Sequence, residues 1–337
     1  MAGIDRSTVL VTGAAGFIGA HVARALLDSG RRVVGIDNLN AYYPPALKRA
    51  RIEPLKAHEG FVFHEADIAD FDRLTSLPGV AGAELVIHLA AQAGVRHSIE
   101  DPFAYARSNL LGHLSILELV RRAPKKPLLV YASSSSVYGA NTKTPFAESD
   151  PVDDPVSLYA ATKRADELMS ESYARLYGLA QIGLRFFTVY GPFGRPDMAY
   201  WRFTENILAG KPIKVFNNGD MKRDFTYIDD VVAGILAVAT SPMKPDRPIP
   251  HRIYNIGNNK PVALMRFIET IEKAVGREAV KIFEPMQPGD VQATSADIDA
   301  ISADYGFVPT TPLEDGIPKF VSWYREHRKT AGAAPTP

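Results

Sequence analysis

The chain has 337 residues, with 38 Lys and Arg balancing 38 Asp and Glu, no cysteine and eight scattered histidines. Balanced charge gives no basic stripe for a nucleic acid, the lack of cysteine excludes disulfides and thiolate chemistry, and unpaired histidine spacing gives no metal site. No apolar run approaches the ~20 residues of a membrane span, and the start MAGIDRSTVLVTG enters a strand too early for a signal peptide, so a cytoplasmic protein is expected.

Apolar runs rich in β-branched residues alternate with helical patterns along the chain. That rhythm predicts an α/β fold: a Rossmann-type, doubly wound parallel sheet with helices on both faces. Strands are expected at Thr8–Val11, Arg32–Ile36, Phe61–His64, Leu85–His88, Leu128–Ala132 and Gln181–Leu184, and a late strand at Arg252–Ile256 returns to the same sheet. Helices are expected to follow Gly16, Asp70, Pro102, Ser157 and Ile228. After about Thr188 the rhythm breaks, and Pro and Gly thicken in YGPFGRPDM, GKPIKVFNNGD and EPMQPGD. These loops predict a smaller C-terminal α/β substrate domain over the carboxyl edge of the sheet. Residues 1–190 with about 224–257 would form the dinucleotide-binding domain, residues 191–223 with about 258–330 the second domain, and 331–337 a frayed tail.

The first strand runs into Gly13, Gly16 and Gly19, evenly spaced before a helix that opens with Phe17 and Ile18. Gly13 permits the tight turn, Gly16 lets backbone approach a pyrophosphate at the helix N-terminus, and Gly19 allows close helix–strand packing. Asp37 ends the next strand about 20 residues on, where a carboxylate bonds an adenosine ribose 2′-hydroxyl and repels a 2′-phosphate. The expected cofactor is therefore NAD rather than NADP. Asp67, after the third strand, is placed either to meet the adenine amino group or to cap the helix from Phe71 onward. Asn38 and Ile68 adjoin these two aspartates and are assigned to the same site. Leu89, Ala90 and Ala91 end the fourth strand, and small residues there let a cofactor lie close to the sheet. Asn109 sits in the otherwise apolar RSNLLGHLSILELV, where a buried amide must serve either the cofactor or a backbone carbonyl.

Tyr159 and Lys163 stand four apart in SLYAATKRADELM, so they share one helix face, one turn apart. A lysine ammonium beneath a phenol favours the phenolate, which can exchange a proton with a sugar hydroxyl near neutral pH. The run Ser133–Ser136, at the end of an apolar strand, offers a hydroxyl to the same oxygen from the other side. Such a Tyr–Lys spacing arises by chance on many surface helices; the glycine signature upstream gives it weight.

TGAAGFIG, HLAAQAGV, YASSSSVYG, the Tyr159–Lys163 pair and RDFTYIDD together resemble the extended short-chain dehydrogenase/reductase family, in its branch acting on nucleotide sugars. Within that branch, DNLNAYYPPALKRAR, QAGVRHSIEDP and LRFFTVYGPFGRPDMA are similar to UDP-glucuronate 4-epimerases, with Phe193 and His97 as departures where Trp and Tyr are expected. The resemblance implies that Tyr159 is the general acid/base, that Lys163 binds the nicotinamide ribose, and that Ser134 is the catalytic hydroxyl. Ser135 and Ser136 would flank the sugar. Thr188, Arg195 and Arg223 match substrate positions, with Arg223 on the diphosphate and Arg195 on a sugar carboxylate, or instead in a loop ion pair with Asp197. Asp290 would hold a ribose hydroxyl or Arg223, or simply end a turn. The implied partners are a UDP-sugar and a second copy of the chain, met through the helices after Pro102 and Ser157.

The implied reaction is epimerisation at carbon 4 through a 4-ketosugar. A 4,6-dehydratase of the family carries Asp and Glu where this chain has Ser135 and Ser136, and a glucuronate decarboxylase carries a Glu in that loop. A UDP-glucose/galactose 4-epimerase remains the alternative enzyme. A non-catalytic dinucleotide-binding regulator is the alternative of another class.

Overall fold

The computed structural model describes residues 7–243, 248–287 and 291–330. Its strands are β1 (Thr8–Thr12), β2 (Arg32–Asp37), β3 (Phe61–Glu65), β4 (Leu85–His88), β5 (Leu128–Ser134), β6 (Gln181–Phe186), β7 (Thr188–Tyr190), β8 (Ile213–Val215), β9 (Lys222–Arg223), β10 (Phe225–Tyr227), β11 (His251–Ile256), β12 (Val262–Ala263) and β13 (Lys281–Phe283). Seven of them form one parallel sheet in the order β11-β6-β5-β4-β1-β2-β3. Each expected strand is present. β1, β2, β3, β5 and β6 run one or two residues further, so Thr12, Asp37 and Ser134 stand at strand ends. The chain walks from β1 out to β3 and resumes at β4 on the other side of β1. Strand order therefore reverses between β1 and β4, and a crevice opens at their carboxyl ends.

The helices are α1 (Phe17–Asp28), α2 (Pro45–Lys56), α3 (Phe71–Ser76), α4 (His97–Glu100), α5 (Pro102–Tyr105), α6 (Gly112–Arg122), α7 (Leu158–Tyr177), α8 (Ala199–Ala209), α9 (Ile228–Thr240), α10 (Leu264–Val275), α11 (Asp299–Tyr305) and α12 (Leu313–Thr330). A π-helical stretch, Ala106–Leu111, joins α5 to α6. Side-chain caps fix three starts: Asp70, Asp101 and Ser157 accept from the backbone N–H of Arg73, Ala104 and Ala160. The cap of α3 is thus Asp70, not Asp67.

Both faces of the sheet are covered, which is why strand β1 reads as continuous Val9, Leu10 and Val11, all at 0% exposure. Leu10, Val34, Leu129 and Tyr131 pack with Ile116, Leu117 and Val120 of α6 on one side. On the other side one apolar cluster runs from Val9 and Val11 through Ile228 and Ile235 of α9 to Phe267 of α10 and Phe320 and Tyr324 of α12. The short pairs β7–β10, β8–β13 and β9–β12 form three two-stranded sheets separate from the main one.

Candidate active site

A cavity of about 1200 Å³ opens at the reversal of strand order. It is larger than the ~300–1,000 Å³ typical of a single small-molecule site, which suits a cofactor and a substrate side by side. Gly13, Gly16, Phe17, Ile18, Gly19, Asp37, Asn38, Asp67, Ile68, Leu89, Ala90 and Ala91 line one end. Ser134, Ser135, Ser136, Tyr159, Lys163, Thr188, Arg195 and Arg223 line the rest. Asp290 lies outside the described residues.

The glycine turn is built for close approach. Gly13 has φ +70°, and a Cβ there would lie 2.7 Å from the Ala90 backbone nitrogen. A Cβ on Gly19 would lie 2.0 Å from the Gly13 carbonyl oxygen, so α1 can abut the turn only as glycine. The Gly16 N–H donates to the Gly13 carbonyl at 2.9 Å and closes the turn. Asp37 fixes the base of this cradle, its carboxylate accepting from the Ala15 N–H at 3.2 Å and the Leu39 N–H at 2.8 Å. Burial pushes the Asp37 carboxyl up, and the Lys48 charge opposes it. A side-chain-free cradle with a carboxylate at the next strand's end fits a dinucleotide with an unphosphorylated adenosine ribose. Asp67 accepts from Arg107 at 2.9 Å on the rim of the same end.

Asn109 departs from its expected cofactor role. It is 1% exposed and lies outside the cavity wall. Its Oδ1 accepts from the Gln92 N–H at 2.8 Å, and its Nδ2 donates to the Gln92 carbonyl at 3.1 Å and to Thr162 Oγ1 at 3.0 Å. The amide pins the loop after β4 to α7, the backbone-serving alternative for a buried Asn.

Tyr159 and Lys163 face the cavity from the first turns of α7. Lys163 Nζ donates to Asp166 Oδ2 at 2.8 Å, with both side chains almost fully buried. Burial raises Asp166 to about 6, against the charge and hydrogen bond of Lys163. His88, bonded through Nδ1 to Thr12 Oγ1 at 2.7 Å, is driven down to about 3 by burial and then by the Lys163 charge, so it is neutral. An ammonium offers three donors, and Asp166 takes one.

The serine run divides its work. Ser133 donates to Glu167 Oε1 at 2.7 Å inside the core, and Glu167 grips Arg185 at two points, 2.8 and 2.9 Å. Burial raises the Glu167 carboxyl, but the bonds and charge of Arg185 outweigh it and hold it below the ordinary value. Ser134 Oγ accepts from the Ser136 N–H at 3.2 Å and the Ser136 hydroxyl at 2.9 Å, so the tight turn after β5 keeps Ser134–Ser136 at the cavity wall.

Across the cavity, Arg195 donates through Nε and Nη2 to the two oxygens of Asp197, at 3.0 and 2.5 Å. The loop ion pair is therefore present, and Nη1 is not part of it. Tyr42 donates to Asp197 at 3.1 Å. Burial and then the Asp197 charge raise the Tyr42 phenol to about 12. Arg223 lines the wall, with Nη1 donating to the Lys222 and Gln292 carbonyls at 2.9 and 3.0 Å. Tyr42 and the cations Arg96, Arg202 and Lys214 also line the cavity and were not assigned from sequence. Tyr42 and Arg96 lie on loops and Lys214 on a three-residue strand, with no period to read, and Arg202 lies on α8.

Fold and site together define a dinucleotide-binding α/β protein with a Tyr–Lys pair at the switch point of its sheet. Residues 9–257 match the NAD dependent epimerase/dehydratase family, and the chain belongs to it. It is 49% identical over 328 residues to UDP-glucuronate 4-epimerase 1 of Arabidopsis thaliana, covering 94% of this chain and 76% of that one. It is 46% identical over 335 residues to the probable UDP-glucuronate 4-epimerase of Rhizobium meliloti, covering 96% and 98%. The solved structure of UDP-glucuronic acid 4-epimerase from Bacillus cereus in complex with UDP-glucuronic acid and NAD superposes with a TM-score of 0.87 at 34% identity, covering 95% and 99% of the two chains.

Proposed function

We propose that this protein is an isomerase, an NAD-dependent nucleotide-sugar 4-epimerase that interconverts UDP-glucuronate and UDP-galacturonate. The observation that carries this reading is one shared cavity: the glycine cradle and Asp37 at one end, and Tyr159, Lys163 and Ser134 in the same wall. Gly13, Gly16 and Gly19 would hold the pyrophosphate, Asp37 the adenosine ribose, and the remaining Lys163 donors the nicotinamide ribose. When bound, NAD supplies the acceptor, and later the donor, of a hydride at carbon 4 of the sugar. Tyr159, as phenolate, takes the proton from the 4-hydroxyl, and Ser134 holds that oxygen in line. The ketosugar turns about its diphosphate link, for which the cavity has room. Tyr159 then returns the proton on the opposite face, and carbon 4 is inverted.

The oxidised sugar is a β-keto acid, so its carboxylate must be kept where its bond to carbon 5 cannot align with the ketone π-system. Arg195, Thr188, Ser135 and Ser136 are the groups available for that task. The Asp197 pair holds the Arg195 fork with Nη1 still available for a carboxylate oxygen, and guanidinium matches carboxylate at two points. Arg223 is assigned to the diphosphate, with Asp290 on it or on a ribose hydroxyl. In this reading residues 1–190 with about 224–257 serve the cofactor, and 191–223 with about 258–330 the nucleotide sugar. The outer faces of α5 and α7 expose Phe103, Leu158, Leu168 and Leu176, which supports a homodimer joined there. No helix among the described residues is long and apolar enough to cross a membrane; a cytoplasmic location is part of the proposal and rests on the absence of cysteine.

The test is the purified protein on UDP-glucuronate and on UDP-glucose, with product analysis. Conversion of the first to UDP-galacturonate is expected. Turnover of UDP-glucose alone would transfer the assignment to the alternative 4-epimerase.

A further inference from the structure

Helix α2 carries a guanidinium that the sequence pattern gave no role. Arg51 is 4% exposed and bridges the glycine turn to the Phe193–Gly194 backbone. All five of its N–H groups end on oxygen. Nε donates to the Phe193 carbonyl at 3.0 Å, Nη1 to the Ala15 carbonyl at 3.0 Å and the Tyr43 hydroxyl at 2.6 Å, and Nη2 to the Phe193 and Gly194 carbonyls at 2.7 and 2.9 Å. Every acceptor is uncharged, so the fork is spent on fixing backbone rather than on an ion pair. Ala15 belongs to the glycine turn of the cofactor end. Phe193 and Gly194 lead directly into Arg195. Phe193 has φ +58°, a left-handed conformation that a bulky residue adopts only when its surroundings impose it. The same segment reaches the Arg195 loop again, where the Tyr42 hydroxyl bonds Asp197.

We infer that Arg51 is a positioning residue that couples the cofactor turn to the Arg195–Asp197 pair, and so sets where the sugar carboxylate is held during epimerisation. The inference rests on the proposed function. A lysine cannot replace the fork, because a point charge with rotatable donors does not meet four oxygens in a fixed planar pattern. Release of the loop lets the carboxylate of the ketosugar swing into line with the ketone. The carbon 5–carboxylate bond then breaks, its electron pair forms the carbon 4–carbon 5 double bond of a 4-enolate, carbon dioxide leaves, and carbon 5 takes a proton from water. The 4-ketone so formed becomes a UDP-pentose when the hydride that bound NAD would have taken from carbon 4 returns there and Tyr159 gives its oxygen a proton.

The experiment compares wild type with Arg51→Lys on UDP-glucuronate, measuring KM, kcat, product identity, bound NAD and inhibition by UDP. Arg51→Lys is expected to raise KM about tenfold or more, with a smaller change in kcat, and to yield a decarboxylated UDP-pentose, while bound NAD and UDP inhibition hold. Wild-type KM and a single epimerised product would overturn the inference. If Arg51→Lys does not fold with NAD, Tyr43→Phe decides, since it removes one acceptor from Nη1. A rise in KM of a few fold supports the coupling, and unchanged KM and product overturn it. A wild-type protein that leaves UDP-glucuronate untouched overturns the proposed function itself; active wild type with indifferent variants overturns only the role of Arg51.

Discussion

Tyr159 has one chemical duty in this account, the movement of a single proton at the 4-oxygen. Tyr159→Phe keeps the ring and its edge contact with Tyr105, whose centroid lies 6.0 Å away, and removes only the hydroxyl. Turnover is expected to fall by about 10²–10⁴-fold, with NAD content unchanged when the protein is denatured and its nucleotide assayed. Undiminished activity would remove Tyr159 from proton transfer. Glu167 has a different duty, as counter-charge to buried Arg185. Glu167→Ala leaves that guanidinium and the Ser133 hydroxyl without their acceptor, and is expected to cost about 3–5 kcal/mol in urea unfolding. The Tyr–Lys pair and the glycines were readable because local spacing alone puts each group on its surface. Asn109 was not: its partner, the Gln92 backbone, lies 17 residues away, and only the fold brings the two together. The Lys163–Asp166 contact spans three residues on one helix, yet the sequence pattern alone does not say that both are buried.

Helices α6 and α7 are joined at Glu118, which accepts from Arg121 at 2.7 Å, from Arg122 at 3.1 Å and from the Tyr173 hydroxyl at 2.8 Å. The Arg121 hydrogen bond, with burial opposing it, holds the Glu118 carboxyl down at about 2. A folded value below the unfolded one makes the contribution full above about pH 5 and lost as pH falls through 2. Glu118→Gln is therefore expected to lower stability by about 1 kcal/mol at pH 7 after solvent screening. The gap in urea midpoint between the two proteins should close between pH 5 and pH 2; a gap independent of pH would contradict the assignment. Among elements, α2 is the instructive omission. Its buried residues, Leu47, Lys48, Arg51, Ile52 and Leu55, follow helical spacing. Two of the five are cations, and Pro44, Pro45 and Pro54 punctuate the run, so an apolar period could not be read. Pro45 is accommodated in the first turn, where the missing N–H has no intrahelical partner.

At the scale of the molecule, the seven-stranded sheet was legible because parallel strands buried on both faces appear as unbroken apolar runs. The part beyond Thr188 was not legible in detail. Outside β11, its strands are only two or three residues long, as in β9 and β12, and are fixed by pairing partners far along the chain. The α7 face tests assembly. Leu168 and Leu176 are 54% and 68% exposed, and Leu168→Arg with Leu176→Arg is expected to turn a dimer into a monomer by light scattering. A wild-type protein already monomeric at micromolar concentration would contradict the proposed interface.

The most direct test follows the hydrogen on carbon 4. Purified protein is given UDP-glucuronate in D₂O and the product is read by proton NMR. If the hydride leaves and returns within one closed cavity, UDP-galacturonate appears with protium still at carbon 4. UDP-galacturonate carrying deuterium there, or no UDP-galacturonate at all, would contradict the account.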